Sequence, residues 1–285
     1  MNPSAPPTEI SSLIRLLDDP DEFVLSRVRD RLIELGGDAV PFLEIASKEE
    51  NPVLRTRIQE VLKKIAPQQL AERFLELSRT APGEDIDLEK GVDLLMQYGH
   101  PQADSEDIGR TLDELSQELK PRLDGQPTPE QAVGQLTKFL FQGKKFSGNK
   151  KNYFDPDNSY FDTVLSNKTG IPITLSVLCI FIGQRLGLPL VGIGLPGHFI
   201  LKYNSPDQPI FFDPFHQGRI LTPEDCATLV QSFGVEFEKR FLLPITHREI
   251  LIRMIHNLVV IYNRTKDQEK IDQLTEYSKI LMKRA

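Results

Sequence analysis

The sequence has few cysteines, no excess of positive charge and no long hydrophobic run. Its cysteines are Cys179, inside an apolar segment, and Cys226, after an acidic pair. Two cysteines are too few for the disulfide framework of a secreted domain and are typical of a protein in a reducing cytosol. The formal net charge of −7 argues against nucleic acid or a membrane as the partner, because proteins that bind those carry basic patches.

Targeting and cofactor signals are also absent from the sequence. The longest apolar run, residues 171–182, is interrupted by Thr174 and Ser176 and is too short to cross a bilayer. The first ten residues, MNPSAPPTEI, have no apolar core, so we expect no secretory signal peptide. The glycines at residues 192–197 fall on predicted strands and a turn, which argues against a phosphate-binding loop. We therefore expect a cytoplasmic protein without a cofactor.

Residues 1–67 are predicted to form helical hairpins. Apolar residues recur at intervals of three and four, and residues 19–28 and 50–58 both place a proline-containing turn before an amphipathic helix. This order resembles HEAT-like repeats. A plain helical subdomain is the alternative, because fewer than two full repeats are present.

Residues 68–245 are predicted to form the main domain, which we assign to the α+β class. Helical spacing dominates its first half, and residues 174–186 are apolar on almost every side, which indicates a helix buried on all sides. Three strands are predicted next, at residues 190–195, 198–203 and 210–213. A buried central helix packed on an antiparallel sheet is the expected core, with helical segments before and after it.

Residues 246–285 return to a helical pattern. Apolar residues share one face over residues 250–261 and again over residues 271–281. One hairpin of this size has the dimensions of a tetratricopeptide repeat but lacks the further repeats that a solenoid needs. We therefore expect it to dock on the main domain.

His198 and Asp213 are the candidate catalytic residues. They are 15 residues apart, one near the start of a predicted strand and the other at the end of the next. In an antiparallel hairpin these two positions lie at the same edge of the sheet. A carboxylate there can hold the imidazole in one tautomer and stabilise its charged form. The alternative is a purely structural pair that joins the two strands.

The segment around this pair resembles the transglutaminase-like core 2 family, which includes bacterial SirB-type proteins and a domain of some F-box proteins. The matching motifs in residues 152–226 are YFDPDNSYFDTVL, GIPITLSVL, RLGLP, GLPGHFILKY, FFDPF and GRILTPEDC. The likeness covers most of residues 70–285: the tail is similar to the tetratricopeptide-like tail of many members, and the helices upstream of residue 152 fit the family less tightly. The resemblance implies a papain/transglutaminase-like core.

The resemblance also implies a Cys-His-Asp triad whose cysteine begins the central helix. His198 and Asp213 match the last two members. The position of the cysteine is taken by Pro172 or Ile173, and neither side chain is a nucleophile. Cys179 lies about two turns further along the helix, where a buried thiol is usually inert packing.

Thr174 and Ser176 are the alternative nucleophiles, because a hydroxyl near a histidine can be activated. An N-cap for Thr174 and close packing for Ser176 are the plainer interpretations. His216 shows no spacing to a His, Cys or carboxylate set typical of zinc, so we expect no metal. The residues expected to line the cleft are Asn158, Pro172, Gly197 and His216. The remaining histidines, His100, His247 and His256, are expected at the surface or in helix packing.

The favoured hypothesis is a pseudoenzyme, a transglutaminase-like domain without cysteine catalysis that binds a protein or a peptide. The flanking helices would supply surfaces for such contacts. The competing hypothesis is an amide-bond hydrolase or acyl-transferase that uses His198 and Asp213 with Ser176, Thr174 or an unexpected thiol. In the third, His198 and Asp213 only stabilise the hairpin.

Overall fold

The computed structural model describes residues 7–48, 51–125 and 127–283. Residues 1–6 and 49–50 of the predicted HEAT-like segment, Gln126, and residues 284–285 of the predicted tail lie outside the described residues. The chain divides into two compact units, Met1–Glu76 and Leu77–Ala285. The predicted domain boundaries at residues 67 and 245 stay predictions.

The first unit is helical. Its helices are α1 (Pro7–Leu16), α2 (Glu22–Leu35), α3 (Val40–Ala46) and α4, which begins in this unit and spans Pro52–Ser78. Asp21 caps the start of α2 by accepting a hydrogen bond from the backbone of Phe23. Gly36, with a φ of 54°, ends the same helix, where a residue with a side chain would be strained. The apolar faces of these helices meet in one core that includes Ile10, Leu17, Leu25, Leu32, Leu43 and Ile58.

The second unit combines helices with two small sheets. Its helices are α5 (Leu88–Gly99), α6 (Ser105–Leu119), α7 (Pro129–Thr137), α8 (Phe161–Asn167), α9 (Pro172–Leu186), α10 (Pro223–Ser232), α11 (His247–Thr265) and α12 (Gln268–Met282). Its strands are β1 (Ser147–Gly148), β2 (Thr169–Gly170), β3 (Leu190–Ile193), β4 (Ile200–Tyr203), β5 (Ile210–Asp213) and β6 (Arg219–Leu221). Strands β1 and β2 pair in parallel, and β3 to β6 form an antiparallel meander in sequence order.

Helix α9 is the central helix of this unit. Every residue from Pro172 to Gly183 is buried, as its all-round apolar character predicts. The helix contacts α6, β3, β4 and the 3₁₀ helix Pro214–His216. Gly187 ends it in the left-handed conformation, with a φ of 69°. The helix therefore carries the sheet on one side and helices on the others.

The sheet differs from the sequence prediction at its margins. Strand β4 starts at Ile200 rather than residue 198, because Gly197 turns with a φ of 74° and the backbone N–H of His198 donates to Leu195 O. Strand β6 was not predicted, since three residues with two exposed give no clear alternation.

Helices α11 and α12 form the hairpin at the end of the chain. Lys266, in the left-handed conformation, ends α11, and Asp267 caps α12. Helix α11 contacts α5 and α9. None of the described helices combines the length and the continuous apolar character that crossing a bilayer requires.

Candidate functional site

The antiparallel register of β4 and β5 brings His198 and Asp213 together. Leu201 pairs with Phe212, so Asp213 at the end of β5 lies beside the start of β4, which His198 precedes by two residues. The distance between His198 Nε2 and Asp213 Oδ2 is 2.8 Å. Both side chains are buried.

His216, which was expected to line the cleft and whose spacing matches no typical zinc pattern, joins this pair. Its Nδ1 lies 2.7 Å from the same Asp213 oxygen, Oδ2. The physical reason is the 3₁₀ helix Pro214–His216, which turns the chain back so that residue 216 meets the residue that caps the turn. We call His198, Asp213 and His216 the histidine–aspartate cluster.

The second oxygen of Asp213 is held by the backbone. Oδ1 accepts hydrogen bonds from the backbone N–H groups of Phe215 at 2.9 Å and His216 at 3.3 Å. Burial acts to raise the pKa of Asp213, whereas hydrogen bonds and positive charge from His198 and His216 lower it. The net pKa is below its ordinary value. Asp213 is therefore a charged acceptor that directs one nitrogen of each imidazole towards itself.

This arrangement fixes the chemistry that His198 can perform. Because Nε2 donates to the carboxylate, Nδ1 carries the lone pair when the ring is neutral. No hydrogen bond to Nδ1 is present within the described ranges. His198 could therefore act as a base or as a hydrogen-bond partner for a bound group through Nδ1.

The loop before His198 is positioned by close contacts. Gly197 was expected to line the cleft. A side-chain Cβ at this position would lie 2.5 Å from the ring of Phe233, so glycine is needed here for the turn and for the close packing of Phe233. Arg253 donates to Leu195 O at 2.8 Å and to His198 O at 3.2 Å. These bonds tie the loop to α11.

Neither candidate hydroxyl is free in the described structure. Thr174 is fully buried, and its Oγ1 donates to Asn158 O at 2.9 Å while accepting from the backbone N–H of Ile171 at 3.1 Å. Ser176 is also fully buried and donates to Pro172 O at 2.8 Å. Both hydroxyls satisfy backbone groups at the start of α9.

The start of α9 presents no thiol. Pro172 occupies the first helical position, which suits a residue without an N–H, and both Pro172 and Ile173 are buried. Cys179 is fully buried, and burial raises its pKa. Burial, followed by the charges of Asp225 and Asp213, raises the pKa of Cys226 to about 11. A high pKa keeps a thiol protonated and unreactive.

Asn158 is buried beneath the loop that precedes it. Its side-chain nitrogen donates to Asn152 O at 2.7 Å, and its Oδ1 accepts from Asn149 at 2.9 Å. Together with the bond from Thr174 to its carbonyl, these contacts join the loop to α9. Asn158 thus holds this loop against the start of α9.

His100 also has carboxylate partners, which sequence spacing does not predict. Nδ1 of His100 lies 2.7 Å from Asp162, Nε2 lies 3.6 Å from Asp157, and the ring packs against Tyr160. These partners are some 60 residues away in sequence, and spacing reveals no such pair. The expectation for His100 was surface or helix packing only.

Comparison with known proteins confirms the predicted likeness at the level of the superfamily. The family model described as the transglutaminase-like superfamily matches residues 106–256, more than half of the chain. A UPF0162 protein of Xylella fastidiosa is 38% identical over 136 residues, 46% of this chain and 48% of that protein. A UPF0162 protein of Pseudomonas aeruginosa is 31% identical over 153 residues, 52% of this chain and 55% of the relative.

The likeness extends to a mammalian protein. Human F-box only protein 21 is 30% identical over 151 residues, which are 50% of this chain and 23% of that protein.

The matched part of the chain spans about half the length of the UPF0162 protein of Xylella fastidiosa. No solved structure matches. The segment matched by the family model contains α9, the meander and the histidine–aspartate cluster, and the chain therefore belongs to the transglutaminase-like superfamily.

Proposed function

We propose that this chain is a non-catalytic member of its superfamily, which binds a protein or a peptide at the histidine–aspartate cluster. The observation that carries the proposal is the start of α9. A buried proline, Pro172, and a buried isoleucine, Ile173, stand where the family resemblance puts the cysteine of the triad. The nearest hydroxyls, on Thr174 and Ser176, are bonded to backbone groups.

Exposed aromatic side chains next to the cluster support a binding role. Phe215 packs edge-on to both imidazoles, with ring centroids 6.2 Å from His198 and 5.2 Å from His216. Tyr153 contacts both Phe215 and Phe154. Tyr153 is 36% exposed and Phe154 is 44% exposed. Aromatic residues are enriched in protein interfaces, where they bury large apolar areas.

An arginine completes this aromatic surface. The guanidinium of Arg264 lies 3.9 Å from the ring centroid of Phe154, a cation–π contact that fixes the ring at the surface. Arginine is also enriched in interfaces. Tyr153, Phe154 and Arg264, which we call the aromatic surface, are thus suited to contact a polypeptide partner next to His198.

The competing function is an amide-bond hydrolase or acyl-transferase. The bond between His198 and Asp213, with Nδ1 of His198 not hydrogen-bonded within the described ranges, is the observation that favours it. The chemistry would require Thr174 or Ser176 to leave its backbone acceptor and become exposed beside the imidazole. Because both are fully buried, we prefer the binding function.

We propose further that the chain is of the SirB type and that its flanking helices act as HEAT-like and tetratricopeptide-like contact surfaces. We propose a cytoplasmic location, which is supported by two free and buried cysteines. Nucleic acid and membranes are not the proposed partners, given the net charge of −7.

Quantitative affinity capture from the native cell tests the binding function. The baits are the full chain, His198→Ala, the double variant Tyr153→Ala/Phe154→Ala, and the control Met282→Ala. Met282 is 53% exposed and follows Leu281, whose carbonyl is bonded by Arg248. Arg248 and Arg264 lie 16 residues apart on α11, about 24 Å along the helix. The control substitution is therefore remote from the site that the other variants change.

We expect proteins that are captured by the wild type and by the control but lost with both site variants. A captured set that is the same for all four baits would refute the proposal. Folding of each bait is checked by circular dichroism, so that a lost partner reflects the surface and not unfolding.

A further inference from the structure

We propose that His198, Asp213 and His216 bind a transition-metal ion of the zinc class. One ligand atom from each residue lies within 4.8 Å of those of the other two, and both His198 Nε2 and His216 Nδ1 lie within hydrogen-bond distance of Asp213 Oδ2. This inference goes beyond the binding of a polypeptide and does not depend on it. The argument rests on the donor types, their separations and the groups that hold them.

The donor set selects the class of ion. Two imidazole nitrogens and one carboxylate oxygen suit Zn²⁺, Co²⁺, Ni²⁺ and Cu²⁺, whereas Mg²⁺ and Ca²⁺ prefer sets made of oxygen alone. Three protein ligands leave a fourth position in a tetrahedral site, which water or a side chain of a partner would take.

The two nitrogen–oxygen separations require only a small adjustment. The two nitrogens lie 2.8 Å and 2.7 Å from the aspartate oxygen. Ligands of tetrahedral zinc at bond lengths of about 2.1 Å stand roughly 3.4 Å apart, so each of these two nitrogen–oxygen separations must widen by about 0.6 Å. The His216 side chain is 42% exposed, and its outward rotation can widen its own separation from Asp213.

Each imidazole can present a lone pair to the ion. The proton on the ligating nitrogen must move to the other ring nitrogen, His198 Nδ1 or His216 Nε2. Within the described residues neither of these atoms makes a hydrogen bond, so each is able to carry the proton. The tautomer change therefore breaks no bond other than those to Asp213.

The surroundings hold the ligands as an outer shell does in metal sites. The backbone N–H groups of Phe215 and His216 fix Oδ1 of Asp213, which leaves Oδ2 directed at the imidazoles as a single-oxygen ligand. Phe215 itself is fixed by close packing, because a Cβ at Gly148 would lie 2.5 Å from its ring. Arg253 holds the carbonyl of His198.

His100 provides a matched control. Its two ring nitrogens face different carboxylates, Asp162 through Nδ1 and Asp157 through Nε2. One ion cannot be bound by both nitrogens of a single ring, so this histidine with acidic partners lacks a convergent ligand set. His100 and its partners are thus histidine and aspartate residues, as in the histidine–aspartate cluster, but their ligand atoms do not converge on one point.

The test uses the full chain without a polyhistidine tag, stripped of metal at pH 7.5. Zn²⁺ is titrated in competition with a chromophoric chelator, and Co²⁺ is added separately to read the visible absorption of its coordination geometry. We expect one Zn²⁺ per chain with a dissociation constant of about 1 µM or lower. His216→Ala and His198→Ala should each weaken binding about 100-fold, and His100→Ala less than about twofold.

Two results would overturn the proposal. One is a wild-type chain that binds Zn²⁺ no more tightly than the double variant His198→Ala/His216→Ala. The other is His216→Ala with wild-type affinity, which would mean that other residues hold the ion. If a substitution at buried His198 prevents folding, His216→Ala decides alone, because its side chain is partly exposed.

Discussion

Replacing Thr174 by valine removes the hydroxyl at the start of α9 without changing the shape of the side chain. In the folded chain this hydroxyl donates to Asn158 O at 2.9 Å and accepts from the backbone N–H of Ile171 at 3.1 Å. Both residues are buried. The substitution therefore leaves a buried carbonyl and a buried N–H without partners.

The size of the effect follows from those two groups. A buried donor or acceptor without a partner costs about 1–3 kcal/mol, and partial relaxation makes about 2–4 kcal/mol the expected loss in the free energy of unfolding. Thr174→Ser keeps the hydroxyl and removes one methyl group, which should cost only about 1 kcal/mol. The two variants thus separate the hydrogen bonds from the packing.

Urea unfolding followed by far-ultraviolet circular dichroism measures this difference. The chain has no tryptophan, so its backbone signal is the practical probe. The slope of the transition should stay constant while the midpoint falls further for valine than for serine. A valine variant within about 0.5 kcal/mol of the wild type would refute the structural role of the hydroxyl.

Three further predictions concern the same region. Native Cys226, with a pKa of about 11, should be about 0.1% thiolate at pH 8. A thiol-specific disulfide reagent should therefore react with it fast only after unfolding, and fast labelling of the native chain would contradict this prediction. Asp213 has a lowered pKa, so it stabilises the fold above its unfolded pKa of about 3.9. In the presence of EDTA, the wild type should have a higher free energy of unfolding than Asp213→Asn, and this difference should shrink as the pH falls below about 4. A difference that stays constant with pH would refute the stabilising role of charged Asp213. Gly148→Ala places a Cβ 2.5 Å from the Phe215 ring and should lower stability by about 1–3 kcal/mol. Gly109→Ala in α6 has no atom within 4 Å of the new Cβ and should be neutral or stabilising, so equal effects in thermal unfolding would contradict this account.

Part of the site could be predicted because the signal is local. The all-round apolar character of α9 indicates burial without knowledge of its neighbours. The register of an antiparallel hairpin is also set locally, so two residues on successive strands could be placed at one sheet edge. His198 and Asp213 were brought together by that argument alone.

The rest required the three-dimensional structure. His216 reaches Asp213 through a single 3₁₀ turn, and a short turn has no periodic sequence pattern. Strands β1 and β2 have two residues each, too few to show alternation. The contact of His100 with Asp162 spans 62 residues, which no spacing argument covers.

The parallel between Thr174 and Ser176 illustrates a further limit. A hydroxyl at the start of the central helix can be a nucleophile or a backbone cap, and the residue type does not distinguish them. Burial and the hydrogen-bond partner distinguish them, because a hydroxyl bonded to a buried carbonyl is already used. Those properties depend on the packing of the loop around Asn158.

Covalent labelling with broad serine-directed and cysteine-directed probes, read by intact mass, tests most directly the claim that the domain binds rather than cleaves. The account predicts no native adduct whose formation depends on His198, so that wild type and His198→Ala give the same spectrum. An adduct on Thr174, Ser176 or either cysteine that disappears in His198→Ala would contradict it.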